Sequence, residues 1–150
     1  MNEPWPGDQY SNPLVMIPGL SEILHMQHAY DIISAQIREV DPNHSICFEP
    51  VTWLNYFKAG FSHPPGGRKY SNSSILCYHY YNPPTLNLKK FMKARMKDID
   101  RLKIGGLLSE FYVINEQGEK NIEMMNHCDT NLQSWFGWIY PIKANTQTPR

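Results

Sequence analysis

Residues 75–81 read Ile75-Leu76-Cys77-Tyr78-His79-Tyr80-Tyr81, a short apolar and aromatic run closed by Pro83. That composition, bounded by a turn former, predicts a buried β-strand. Three more segments have the same character: residues 45–49, 106–111 and 134–140, the first and last closed by Pro50 and Pro141. With Cys47, Cys77, Leu108 and Gly137 as centres, the gaps are 30, 31 and 29 residues (77−47, 108−77 and 137−108). Helical patterns fall between the strands. Residues 86–103 place Leu88, Phe91, Met92, Met96, Ile99 and Leu102 at i, i+3, i+4 spacing among Lys and Arg. Residues 21–40 read likewise, with Ser21 as N-cap and Ile23, Leu24, Tyr30, Ile33 and Ile37 on one side. Residues 122–132 are a shorter helix, and residues 57–74, with Pro64-Pro65-Gly66-Gly67, form a long loop carrying a short helix.

Strand, loop and helix repeating at about 30 residues is the period of βα units with parallel strands, so the fold class is α/β. A doubly wound sheet and a TIM (β/α)8 barrel share that period. No glycine-rich phosphate loop follows any strand, which counts against the nucleotide-binding sheet. A complete barrel takes roughly 250 residues. A chain of 150 residues therefore matches about half of one.

Composition narrows the function classes. The 14 Lys+Arg balance 14 Asp+Glu, so no net basic field attracts nucleic acid. Hydrophobic residues at 41% and aromatics at 13% exclude a disordered chain. No apolar run reaches transmembrane length, and the first residues lack the pattern of a signal peptide. The three cysteines, Cys47, Cys77 and Cys128, show neither CxxC spacing nor a zinc-site pattern and are read as small core thiols. His25 and His28 have helical metal-ligand spacing but no third ligand, so they are read as surface residues. Asn43-His44-Ser45 and Asn72-Ser73-Ser74 match the N-glycosylation pattern, which short sequences often do by chance.

In a βα barrel, chemistry gathers at the C-terminal ends of the strands. Those ends here carry Glu49, then His79 with Tyr81, then Glu110, then Trp138 with Tyr140. Side chains alternate along a strand, so His79 and Tyr81 share a face with Cys77 beneath them. Taken singly, each residue has an ordinary reading: Glu49 as a solvated loop carboxylate, His79 as a structural histidine, Trp135 and Trp138 as core. Taken together with Glu3 near the start, they supply two carboxylates and a rim of aromatics. Glycoside hydrolysis needs such a pair, one carboxyl protonated to release the leaving oxygen and one ionised to attack the sugar carbon.

Asn2-Glu3-Pro4-Trp5-Pro6-Gly7-Asp8 resembles the acid/base motif at the fourth strand of glycoside hydrolase family 5 (cellulase superfamily), in its endoglycoceramidase-like branch. Phe48-Glu49-Pro50-Val51-Thr52-Trp53, Gly60-Phe61-Ser62-His63-Pro64-Pro65-Gly66-Gly67, Tyr78-His79-Tyr80-Tyr81, Leu108-Ser109-Glu110-Phe111 and Ser134-Trp135-Phe136-Gly137-Trp138 follow in family order. The resemblance implies a partial TIM barrel, from the end of strand 4 through strand 8, over residues 1–143, with a polar tail at 144–150. It implies a retaining mechanism with Glu3 as acid/base and Glu110 as nucleophile. Asn2 would bind the sugar 2-hydroxyl, and His79 and Tyr81 would stand beside the nucleophile, Tyr81 bonding its carboxylate. Trp138, with Trp135 as second choice, would be the aromatic platform under the sugar. Glu49 matches a recurrent glutamate with no catalytic step assigned.

The implied substrate is a glycosphingolipid, cut between glycan and ceramide, with no metal or organic cofactor, no nucleic acid, no transmembrane segment and at most peripheral contact with membrane lipid. A secreted or endolysosomal location is the family habit. Because the three units that precede the Asn-Glu-Pro motif in the family are absent, the chain alone is expected to fold poorly and to be inactive. The alternative from another class is a non-catalytic carbohydrate or glycolipid binder that kept the aromatics of the same barrel.

Overall fold

The computed structural model describes residues 3–4, 14, 17–51, 57–81, 87–111 and 118–138. A π-helical turn, Glu22–Met26, runs into α1, Gln27–Val40. Then come β1 (Ile46–Phe48), a 3-10 turn (Arg68–Ser73), β2 (Ser74–Tyr80), α2 (Leu88–Leu102), β3 (Gly105–Phe111), α3 (Gly118–Thr130) and β4 (Ser134–Trp135). All three strand pairings are parallel, and the sheet order is β1-β2-β3-β4. A doubly wound sheet reverses its strand order at a switch point. An order that only advances is the winding of a βα barrel. No helix among the described residues is long and apolar enough to cross a membrane.

The sheet sorts its residues by face. Phe48, Leu76, Tyr78, Tyr80, Leu108 and Phe111 turn toward the helices and join Tyr30, Phe61, Phe91, Ile99, Leu102, Met124 and Cys128 in the core. Tyr30, Phe48 and Phe61 meet edge to face, with ring centroids 5.1–5.8 Å apart, an arrangement that suits the aromatic quadrupoles. The opposite face of β2 carries Cys77 and His79. Burial pushes the Cys77 thiol well above its usual range, which suits the inert core thiol expected there, whereas Cys47 is exposed.

α2 begins where Asn87, in an extended conformation, accepts from the Lys90 amide at 3.1 Å, and ends at Lys103 in the left-handed region. At α1 the expectation fails in two respects. Ser21 is already helical and makes no side-chain cap bond; instead Glu22, fully buried, accepts from the amides of Val51 (2.8 Å) and Gly19 (2.5 Å). The buried stripe is Met26, Tyr30, Ser34 and Arg38, while Ile23, Leu24, Ile33 and Ile37 are exposed. Polar anchoring turns the helix this way. The Tyr30 hydroxyl bonds the Glu49 backbone, and the Arg38 guanidinium donates to the carbonyls of His44 and Ser73. These bonds satisfy buried groups that an apolar stripe could not.

The loop after β1 is pinned to α2. Asp98, fully buried, accepts from the Ala59 amide (3.0 Å), Arg95 (3.2 Å) and Arg101 (3.1 Å), and the two arginines donate to the carbonyls of Phe57, Ala59 and Phe61. Gly60 lies where this loop crosses the chain before α1: a Cβ there would stand 1.8 Å from the Gly19 carbonyl oxygen. That neighbour is backbone and cannot swing aside. Gly60→Ala is therefore expected to cost roughly 3 kcal/mol, read as a lowered urea midpoint with an unchanged slope.

Candidate active site

One irregularity in β3 builds the site. Register pairs Tyr78 with Leu108 but His79 with Glu110 and Tyr80 with Phe111. On the other side, the amides of Phe136 and Trp138 bond the carbonyls of Leu108 and Phe111. Both neighbours thus advance two residues while β3 advances three, so Ser109 is an extra residue, a β-bulge. In a regular strand Leu108 and Glu110 would share a face, and Glu110 would point into the helix-side core. The bulge turns Glu110 to the face of His79.

His79, 2% exposed, is the hub. Its Nδ1 lies 3.0 Å from Glu3 Oε1 and 3.5 Å from Glu110 Oε2. Its Nε2 lies 3.1 Å from Glu49 Oε1, an ion-pair contact without the alignment of a good hydrogen bond. The Tyr81 hydroxyl donates to Glu110 Oε2. One ligand-type atom from each of Glu3, His79 and Glu110 lies within 4.8 Å of the other two. Glu3 and Glu110, 107 residues apart in sequence (110−3), thus meet at one histidine.

The electrostatics follow from the contacts. Burial alone would lower the His79 pKa, but the carboxylates of Glu49 and Glu3, with Glu110 beyond, outweigh it and push it up to about 9. The imidazole is then a cation at neutral pH, ringed by the carboxyl groups of Glu3, Glu49 and Glu110. The spacing of the three atoms from Glu3, His79 and Glu110 is also one that a metal ion could span. Burial, then donation to Glu110, raises the Tyr81 pKa, so its hydroxyl remains a donor.

Glu3 itself is held in an uncommon backbone state. Its φ is 46°, the left-handed region, although it is not glycine and precedes Pro4, which disfavours helical conformations in the residue before it. Such strain persists only where the surroundings over-determine it. Here the Glu3 amide donates to Glu49 Oε2 at 2.7 Å.

Among the expected site residues, the structure brings together Glu3, His79, Tyr81 and Glu110. Asn2 lies outside the described residues. Trp138 sits at the same end of the sheet as Glu110, its amide on the Phe111 carbonyl and its side chain half exposed. Trp135 is not part of the cluster. It pairs with Leu108, packs edge to face on Phe111 at 5.9 Å and donates to Asp129 of α3 at 3.2 Å, so it belongs to the helix side. Glu49 is the residue the sequence reading left without a task. A solvated loop carboxylate was its ordinary reading, yet it is 7% exposed and touches both Glu3 and His79. Its position directly after β1, two residues beyond Cys47, was the available signal. His25, His28, Asn43 and Asn72 are all exposed.

Residues 1–143 match the family described as Cellulase (glycosyl hydrolase family 5). Among curated proteins, the chain is 47% identical over 143 residues to an endoglycoceramidase of Cyanea nozakii and 43% identical over 140 residues to an endoglycoceramidase of Hydra vulgaris. Each alignment takes in 93% of this chain but only 28% and 27% of the relative, so the chain spans about a quarter of their length. Among solved structures it superposes on endo-glycoceramidase II from Rhodococcus sp., in a cellobiose-like imidazole complex, with a TM-score of 0.69. That match has 18% sequence identity and covers 92% of this chain and 34% of the other, which shows the fold of a partial barrel.

Proposed function

Because the chain belongs to glycosyl hydrolase family 5, we propose that its cluster is the core of a retaining glycosidase that cuts the bond between glycan and ceramide in glycosphingolipids. The observation that carries the reading is the approach of a carboxyl oxygen of Glu3 to within 4.8 Å of one of Glu110, both beside His79. Inverting enzymes keep their carboxyl groups roughly 6.5–9.5 Å apart to seat a water, and retaining enzymes about 5 Å apart. In this reading Glu110 attacks the anomeric carbon while Glu3 gives its proton to the departing ceramide oxygen. Glu3 then takes a proton from the water that frees the sugar. The Tyr81 hydroxyl keeps Glu110 ionised and aimed. His79 carries positive charge between the two carboxyl groups. The relatives named endoglycoceramidase support the choice of substrate.

The 150 residues supply four described strands, with β1 and β4 at the edges of the described sheet and the apolar side of α1 uncovered. We propose that turnover needs the units that would close the barrel against these surfaces. The test is a full-length polypeptide that carries this chain and the closing units, offered a fluorescent glycosphingolipid. Release of intact glycan and free ceramide, with the initial product of the β-linked substrate in the β configuration, is the expected outcome; an α product would reject retention. The 150-residue chain alone is expected to be silent, and clear turnover by it would remove the need for the closing units. A non-catalytic binder of the same glycolipid would hold substrate without releasing ceramide.

Tyr81→Phe removes one hydrogen bond to an ionised carboxylate, an interaction worth about 1.5–3 kcal/mol. In that polypeptide kcat is expected to fall by roughly 10- to 100-fold with little change in KM. Initial-rate kinetics over a range of substrate concentrations check this.

A further inference from the structure

We propose that Glu49 is a positioning residue for this site: one carboxylate oxygen holds the Glu3 amide and the other faces the far nitrogen of His79. The carboxylate thereby sets the place of one glutamate and the charge of the ring between both. Three observations carry the inference. Glu49 is buried at the end of β1, where an ionised carboxylate is costly unless it is paired. Its backbone is fixed on both sides by one group: the Tyr30 hydroxyl contacts both the Glu49 amide and the Glu49 carbonyl at 3.1 Å. Its Oε2 takes the amide of a residue whose backbone is in the left-handed region before a proline, the kind of state that needs an outside restraint.

The surroundings of His79 leave this role to Glu49. Glu3 and Glu110 face Nδ1; Tyr81, directly after β2, meets the ring edge to face at 6.3 Å; Cys77 lies below on β2. Only Glu49 faces Nε2 among the described residues. An imidazole with a carboxylate behind it has its orientation and protonation fixed from the rear, as in other sites where an outer carboxylate orients a histidine. A cation then stands beside both Glu3 and Glu110 and offsets the negative charge that Glu110 carries as nucleophile.

The inference rests on the glycosidase reading for its consequence in catalysis but not for its physical content, and the experiment separates the two. Glu49→Gln keeps the length of the side chain and an oxygen for the Glu3 amide while removing the charge. In the full-length polypeptide, the imidazole carbons of His79 are followed by NMR across pH, with the signal assigned by its loss in His79→Gln. The wild-type ring is expected to titrate well above the usual histidine range. In Glu49→Gln the midpoint is expected to fall by about one pH unit or more. Glu49→Asp, which keeps the charge, restores most of the elevation. Where substrate is turned over, kcat of Glu49→Gln falls roughly 10- to 100-fold while substrate binding is retained. A His79 midpoint that is ordinary in the wild type, or unmoved in Glu49→Gln, overturns the proposal whether or not the polypeptide cleaves glycolipid. Absence of hydrolysis with a shifted midpoint overturns the function and leaves Glu49 in its role.

Discussion

Glu110→Gln is expected to lower kcat on the order of 10⁴-fold or more while leaving glycolipid binding intact. The amide has the same shape and still accepts from the Tyr81 hydroxyl, but it is neutral and cannot form the glycosyl ester. The contacts made by Glu110 in the structure, His79 Nδ1 at 3.5 Å and the Tyr81 hydroxyl, both suit a carboxylate that must be ionised and fixed in direction before it attacks. Rates measured in single turnover, beside direct binding of the substrate, check the split. A variant within ten-fold of wild type would remove Glu110 from the nucleophile's place. Glu3→Gln should also slow the departure of ceramide, yet it should retain more rate on substrates whose leaving group needs no proton. That difference would assign the two carboxyl groups to their separate steps.

The largest expected effect on stability lies far from the chemistry. Asp98→Ala is expected to destabilise the fold by about 3–5 kcal/mol, the usual result of leaving a buried charge without its partner. Arg95 is 2% exposed; burial lowers its pKa and the Asp98 carboxylate opposes that. Without Asp98 the Arg95 cation stays in the core, the Ala59 amide loses its acceptor and the loop from Phe57 to Phe61 loses its staple. Chemical denaturation of the full-length polypeptide measures the cost. Replacing Arg95 and Asp98 together by apolar residues of matching volume is expected to recover part of it, since no unpaired charge then remains. A single variant as stable as wild type would show that the network is not holding the loop.

Much of this architecture was legible along the chain. The spacing of Cys47, Cys77, Leu108 and Gly137 placed four parallel strands, and the observed strands overlap those segments, β2 and β3 each beginning one residue earlier, with residues 139–140 outside the described part. The apolar periodicity of α2 predicted its limits within two residues, because Asn87 and Lys103 have the local chemistry of helix ends. The ordered run of motifs pointed to the family, and the match over residues 1–143 agrees. Where the reading failed, a long-range polar contact outranked a local pattern. The stripe of Ile23, Leu24, Ile33 and Ile37 is exposed in the described residues, since hydrogen bonds from Tyr30 and Arg38 to distant backbone decide which side of α1 meets the sheet. Trp135, the second choice for the aromatic platform that the family resemblance implied, pairs with Leu108 and reaches Asp129 of α3, a placement set by register and not by local pattern.

Sequence by itself therefore determined the identity of the strands, their parallel order and the chemical types at their ends, because hydrophobic period and turn residues act over a few positions. It could not determine that Ser109 is surplus to the ladder, that this surplus brings Glu110 beside His79, or that Glu49 holds Glu3 from behind. Those outcomes depend on register between strands and on a hydrogen bond spanning 46 residues, and only the tertiary packing of the sheet selects among them.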